Sequence, residues 1–200
     1  MTSVLPLDHV EPRHQSTVGG KCSALTEMER HGVPVPETLC IPAEAYERYV
    51  SVTGLRERIL LELNRKDFAD LRWEELWDAS RRIRNMFLKT AMPGNLAGAI
   101  SDALEARCAG RTVVIRSSAP GGDSDAVSFA GLHESFVNVS GAERMLDHVR
   151  LIWASLWSDA ALLYWQDLVF GRGEQHYGRG RAGPCRREPI RCRLQPQSKR

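Results

Sequence analysis

No apolar run in this 200-residue chain is long enough to span a bilayer, and its N-terminus lacks the order of charged, apolar and small residues that marks a secretory signal. Cysteine is scarce and unpatterned. Cys22, Cys40, Cys108, Cys185 and Cys192 form an odd set with no C-x-x-C pair and no His/Cys spacing suited to zinc. These absences exclude a disulfide scaffold and a zinc module, and they point to a reducing cytoplasm with no membrane partner. No internal repeat is visible.

An excess of positive charge is lacking over most of the chain and is confined to its end. From Gly171 to Arg200 there are nine Lys/Arg against Glu174 and Glu188, whereas the preceding residues are net acidic, so the formal charge of +2 belongs to the tail. The tail has few apolar residues and no periodicity, and it is expected to be disordered because it cannot bury enough surface to offset ordering entropy. Accessible cations can bind nucleic acid or an anionic surface. Here aromatic interleaving is absent apart from Tyr177, and no recognised nucleic-acid motif occurs, so no specific nucleic-acid partner is expected.

What is present is most informative from Thr112 to Val139. Thr112 to Ile115 are β-branched, as a buried strand prefers, and that strand delivers Arg116 to a loop carrying Ser117, Ser118, Gly121 and Gly122. Open backbone amides, hydroxyls and a guanidinium suit polyphosphate. The same residue types also make an ordinary surface turn. Two further segments bear on the choice. Thr17 to Met28 reads as a Gly19-Gly20 turn opening a helix with Leu25 and Met28 on its apolar side, which puts Lys21 where free amides and the macrodipole favour an anion. A solvated lysine at a helix end is the alternative. Ser128 to Val139 contains Gly131, which permits a tight turn, and Ser135, whose hydroxyl stands beside it.

Together these segments resemble the N-terminal nucleotide-binding domain of the phosphoenolpyruvate synthase and pyruvate phosphate dikinase family, a domain that rifampicin phosphotransferases share. The family pattern runs G-G-K-G-x-x-L-x-E-M, G-x-P-V-P-x-x-x-x-I, V-R-S-S-A-x-x-E-D and S-F-A-G-x-x-x-[ST]-x-x-N-V. Here it stands as Gly19 to Met28, Gly32 to Pro36 with Ile41, Ile115 to Ala119, and Ser128 to Val139, and Ile152 to Ala160 looks like the helix that follows. The resemblance covers about residues 15 to 168.

The resemblance implies an α/β (α+β) fold, the first half of an ATP-grasp-like nucleotide-binding domain that closes over ATP and magnesium. By motif position Lys21 and Arg116 contact ATP phosphates, Ser117 and Ser118 shape the loop, and the turn of Gly131, Glu134 and Ser135 lies over the phosphate tail. Two positions depart from the pattern: Cys22 replaces a glycine and packs as a small apolar residue, while Gly122 stands where a glutamate is common. In the family a histidine in a T-x-x-G-G-x-x-x-H-A-like motif carries the phosphoryl group. None of His9, His14, His31, His133, His148 or His176 has that setting, so no catalytic residue and no metal ligand is assigned. Ligands for magnesium are expected in the missing half.

The implied organisation is an incomplete nucleotide-binding domain over residues 1–170 and an arginine-rich tail over 171–200. Loss of resemblance near Phe170 suggests a frameshift or truncation. The function expected is that of the ATP-binding portion of a phosphoenolpyruvate synthase-like kinase, inactive alone, with the remaining enzyme domains as partners on another chain. The alternatives are a rifampicin phosphotransferase-like fragment and a non-enzymatic truncated product.

The remaining pattern predicts helices over Lys21 to His31, Pro42 to Val52, Leu55 to Asn64, Trp73 to Thr90 and Leu96 to Cys108, with a strand over Thr38 to Ile41. Met145, Val149, Ile152, Trp153, Leu156 and Trp157 recur at helical spacing as a core stripe. Ser158 is placed to cap a final helix over Asp159 to Val169 that is left partly exposed.

Overall fold

The computed structural model describes residues 3–11, 14–118, 123–124, 127–128, 134–170 and 191–196. Its elements are β1 (Leu5–Pro6), α1 (Gln15–Arg30), β2 (Leu39–Ile41), α2 (Ala43–Val52), α3 (Leu55–Leu63), α4 (Trp73–Lys89), α5 (Gly94–Cys108), β3 (Val113–Ser118), β4 (Asp123–Ser124), β5 (Val127–Ser128), β6 (Ser135–Val139), α6 (Ala142–Ser155), α7 (Asp159–Phe170) and β7 (Arg191–Pro196). This is the mixed α/β class expected.

Five strands form one antiparallel sheet in the order β1-β2-β7-β3-β6, and β4 pairs with β5 alone. Alternation along the strands divides the sheet into two faces. Leu39, Ile41, Val113 and Ile115 join the main core. Cys40 joins a smaller cluster with Leu7, Val10, Val18 and Cys22 beneath α1. The helical stripe of α6 fills the main core, with Met145, Val149, Ile152 and Trp153 all buried. The Trp153 ring stacks on Tyr49 at 5.1 Å and meets Tyr46 edge-on at 5.9 Å.

Local signals end the elements where the residue types require. Gly32 takes φ +75° just beyond α1, and Pro42 stands in extended conformation immediately before α2. Ser158 Oγ accepts from the Ala161 N–H at 3.2 Å and so caps α7. That helix covers α4: Ala161 and Leu162 are buried, Leu163 and Trp165 are half-buried, and Gln166 Nε2 donates to the Phe68 carbonyl at 2.7 Å.

Two details depart from the sequence reading. Met28, placed on the apolar side of α1, is 49% exposed, because the helix turns Val18, Cys22 and Thr26 toward the sheet. Within the tail expected to be disordered, Arg191–Pro196 form β7, which runs antiparallel between β2 and β3. Backbone pairing explains the second difference. β2 and β3 each present a row of amides and carbonyls toward the gap between them, and a strand there pairs both rows whatever its side-chain composition.

Candidate functional site

α1 is not one continuous helix. Gly19 breaks it with φ +78° and ψ +161°, a conformation essentially reserved for glycine, and the helical turns that contain Lys21 begin after this break. The break is also the point of closest approach to β3. A Cβ added to Gly19 would stand 2.4 Å from Ser118 Oγ and 2.6 Å from the Ser118 carbonyl oxygen. Ser118, fully buried, donates its hydroxyl to the Val18 carbonyl at 3.2 Å. The Thr17–Met28 segment and the strand ending at Ser118 are therefore locked together.

Strand alternation then orients the rest. Ser118 and Arg116 share the sheet face under α1, whereas Ser117 points with Val113 and Ile115 toward the main core and is 5% exposed. Arg116 is exposed and Lys21 is half-buried. Among the described residues neither cation has an ion-pair partner. Arg116 stands in register with Ser135 of β6, itself exposed, so directly opposite residues of the second and third segments are neighbours.

The β3–β6 pairing shifts between Val113 and Ile115, and Asn138 within β6 takes φ +57°. A bulge of this kind re-aims the strand, and asparagine tolerates the left-handed region better than most residues. Asn138 thus sets the register that puts Ser135 beside Arg116.

Glu134 is engaged elsewhere. Its carboxylate accepts from Arg84 of α4 at 2.9 Å, with both side chains about 40% exposed. Arg84 is a residue that sequence reasoning missed, since it lies in no motif and meets Glu134 only across 50 residues of chain. Gly131, Gly121 and Gly122 lie outside the described residues. Cys22, the departure at the residue after Lys21, is fully buried against Val18, Leu7 and Cys40, as a small apolar side chain packs.

The arrangement is a strand end, a glycine-broken helix start and two cations without an ion-pair partner among the described residues, an assembly that favours anionic oxygens. The sequence model of the pyruvate phosphate dikinase AMP/ATP-binding domain matches residues 15–176, most of the chain and all of these elements. The chain belongs to this family. A phosphoenolpyruvate synthase of Aeropyrum pernix is 38% identical over 168 residues, covering 80% of this chain and 20% of that protein. A probable phosphoenolpyruvate synthase of Methanocaldococcus jannaschii is 34% identical over 163 residues, covering 79% of this chain and 14% of its own length. A rifampicin phosphotransferase of Streptomyces sviceus is 36% identical over 163 residues, covering 80% and 18%. The chain spans a fifth or less of the length of these curated relatives.

For this AMP/ATP-binding domain the described residues contain no cluster of three or more His, Cys, Asp or Glu able to hold a metal ion. No described helix is long and apolar enough to cross a membrane.

Proposed function

We propose that this chain is the phosphate-binding wall of an ATP site, the part of a phosphoenolpyruvate synthase-like phosphotransferase that holds the nucleotide. The single observation that carries this is the docking of the Gly19 break on Ser118. It brings the helix start that carries Lys21 against the strand that carries Arg116, with no carboxylate among the described residues to neutralise either. Lys21 serves as a point charge and Arg116 as a planar fork toward phosphate oxygens. Ser117 and Ser118 shape the loop rather than face the ligand, since one points into the core and the other is committed to Val18. Ser135, opposite Arg116, stands by the phosphates, and the neighbouring Glu134 is held to α4 by Arg84.

Magnesium in this reading accompanies ATP, and the described residues do not fit as its protein ligands. The complete site is an ATP-grasp-like clamp whose other wall is a partner domain. Synthases and rifampicin phosphotransferases match the same stretch, which therefore serves what they share, the nucleotide, and not the acceptor in which their names differ.

The proposed role of these residues is binding rather than turnover, because none of the six histidines has the setting of a phosphoryl carrier. Titration of ATP with magnesium against the chain is expected to give weak binding. Lys21→Ala and Arg116→Ala are each expected to weaken it about tenfold or more, the scale of one charge-assisted hydrogen bond. Binding that neither substitution weakens overturns the assignment. Pyruvate-dependent AMP formation by the isolated chain overturns the restriction to binding.

A further inference from the structure

The residue after Lys21 is half of a pair. Cys22 in α1 and Cys40 in β2 are 0% and 1% exposed, and their sulfurs lie 2.8 Å apart. Both are thiols, since no disulfide joins them. Two sulfurs in ordinary van der Waals contact sit farther apart than this, and a covalent S–S bond is about 2.05 Å long. Bond formation therefore needs the two sulfurs to approach by only about 0.8 Å more.

Apolar packing alone does not require two cysteines here, because Leu7, Val10 and Val18 complete the same cluster with aliphatic groups. The resemblance puts glycine at the position of Cys22, and a glycine cannot make such a pair.

We propose that Cys22 and Cys40 are a site of reversible disulfide formation that takes a small-molecule disulfide as oxidant and ties the start of the Lys21 helix to β2. The thiolate of Cys22, three residues beyond the Gly19 break, attacks one sulfur of the oxidant, forms a mixed disulfide and releases one thiol. The thiolate of Cys40 then attacks Cys22 Sγ, closes the Cys22–Cys40 bond and releases the second thiol. Two protein thiols are oxidised, the oxidant is reduced to two thiols, and the protons lost by the cysteines are regained by those products. Burial keeps the pair reduced until local opening at the helix start admits the oxidant, so the rate follows opening and not bulk collision.

Cys108, the other described cysteine, is on α5 in the main core, away from this cluster, and burial pushes its thiol up. This proposal stands apart from the nucleotide reading, because its assay reads thiols and no ligand.

The test incubates the full chain with oxidised glutathione, quenches in acid, counts thiols in denaturant and maps links by tryptic mass spectrometry. The reduced chain contains five thiols. Oxidation is expected to leave three, with the Cys22-to-Arg30 peptide joined to the His31-to-Arg48 peptide, and dithiothreitol is expected to restore five. The cross-link closes a short loop, because the two cysteines are 18 residues apart. It should raise the thermal midpoint by about 5–10 °C. Cys40→Ala should stop at the mixed disulfide on Cys22, losing one thiol and carrying one glutathione, Cys22→Ala should form no intramolecular link, and neither variant should gain that shift. Five thiols remaining after incubation, or links through Cys108, Cys185 or Cys192 in place of Cys22–Cys40, overturn the proposal.

Discussion

Single residues in this chain do two kinds of work, and Gly19 does both. Its backbone occupies a region open only to glycine, and its missing side chain leaves room for the Ser118 backbone. Gly19→Ala is expected to destabilise by about 1–3 kcal/mol from conformation alone, with the collision adding to it. Gly98→Ala, at a helical glycine with open space around it, should be neutral or slightly stabilising. Chemical denaturation of both variants checks the contrast; equal midpoints remove the close approach as a constraint.

Tyr49 carries a pH dependence. Burial pushes its phenol up from 10.0 to about 12, with Arg150 pulling weakly the other way. The folded state thus holds this proton more tightly than the unfolded chain does. That contribution is complete below pH 10 and is lost as pH rises through about 12. Denaturant midpoints should fall across this window, and they should fall less in Tyr49→Phe. A Tyr49→Phe profile identical in slope to the original assigns alkaline unfolding to other groups.

At the scale of elements, α6 is the centre of the main core, and its apolar periodicity is plain in the sequence. Trp153 is fully buried between Tyr46 and Tyr49. Trp153→Ala is expected to cost about 3–5 kcal/mol, read as a lower denaturant midpoint at unchanged slope. The pairing of α3 with α4 was less legible. Glu62 is 6% exposed, accepts from Arg82 at 2.5 Å and forms an ion pair with Arg65 at 3.1 Å, a buried carboxylate that residue type alone would put in solvent. The same limit applies to Glu134. Its motif position suggests a role over the phosphates, whereas its carboxylate is engaged by Arg84, a contact across 50 residues that no local pattern encodes.

At the scale of the whole molecule, β7 changes what the sheet is. Without it β2 and β3 are separate edges; with it they belong to one five-stranded sheet. A chain ending at Phe170 should therefore show faster amide exchange over Leu39–Ile41 and Val113–Ser118 than the full chain, with a lower stability. Unchanged exchange in both strands rules out β7 as their partner. The tail's arginine-rich composition hid this strand, because a strand that pairs on both edges is held by backbone groups that composition does not report.

The sequence by itself determined the element types other than β7, most of their boundaries, the core stripe of α6 and the family, because these depend on residue type at short spacing. It also singled out Lys21, Arg116 and Ser135 as chemistry-bearing positions. Only the tertiary structure decided that Gly19 rests on Ser118, that Ser135 stands opposite Arg116, that Glu134 is taken by Arg84 and that Cys22 meets Cys40. Each of these is a contact between segments far apart in the chain, set by sheet register and helix rotation. Such geometry follows from how the whole core packs and not from any local run of residues.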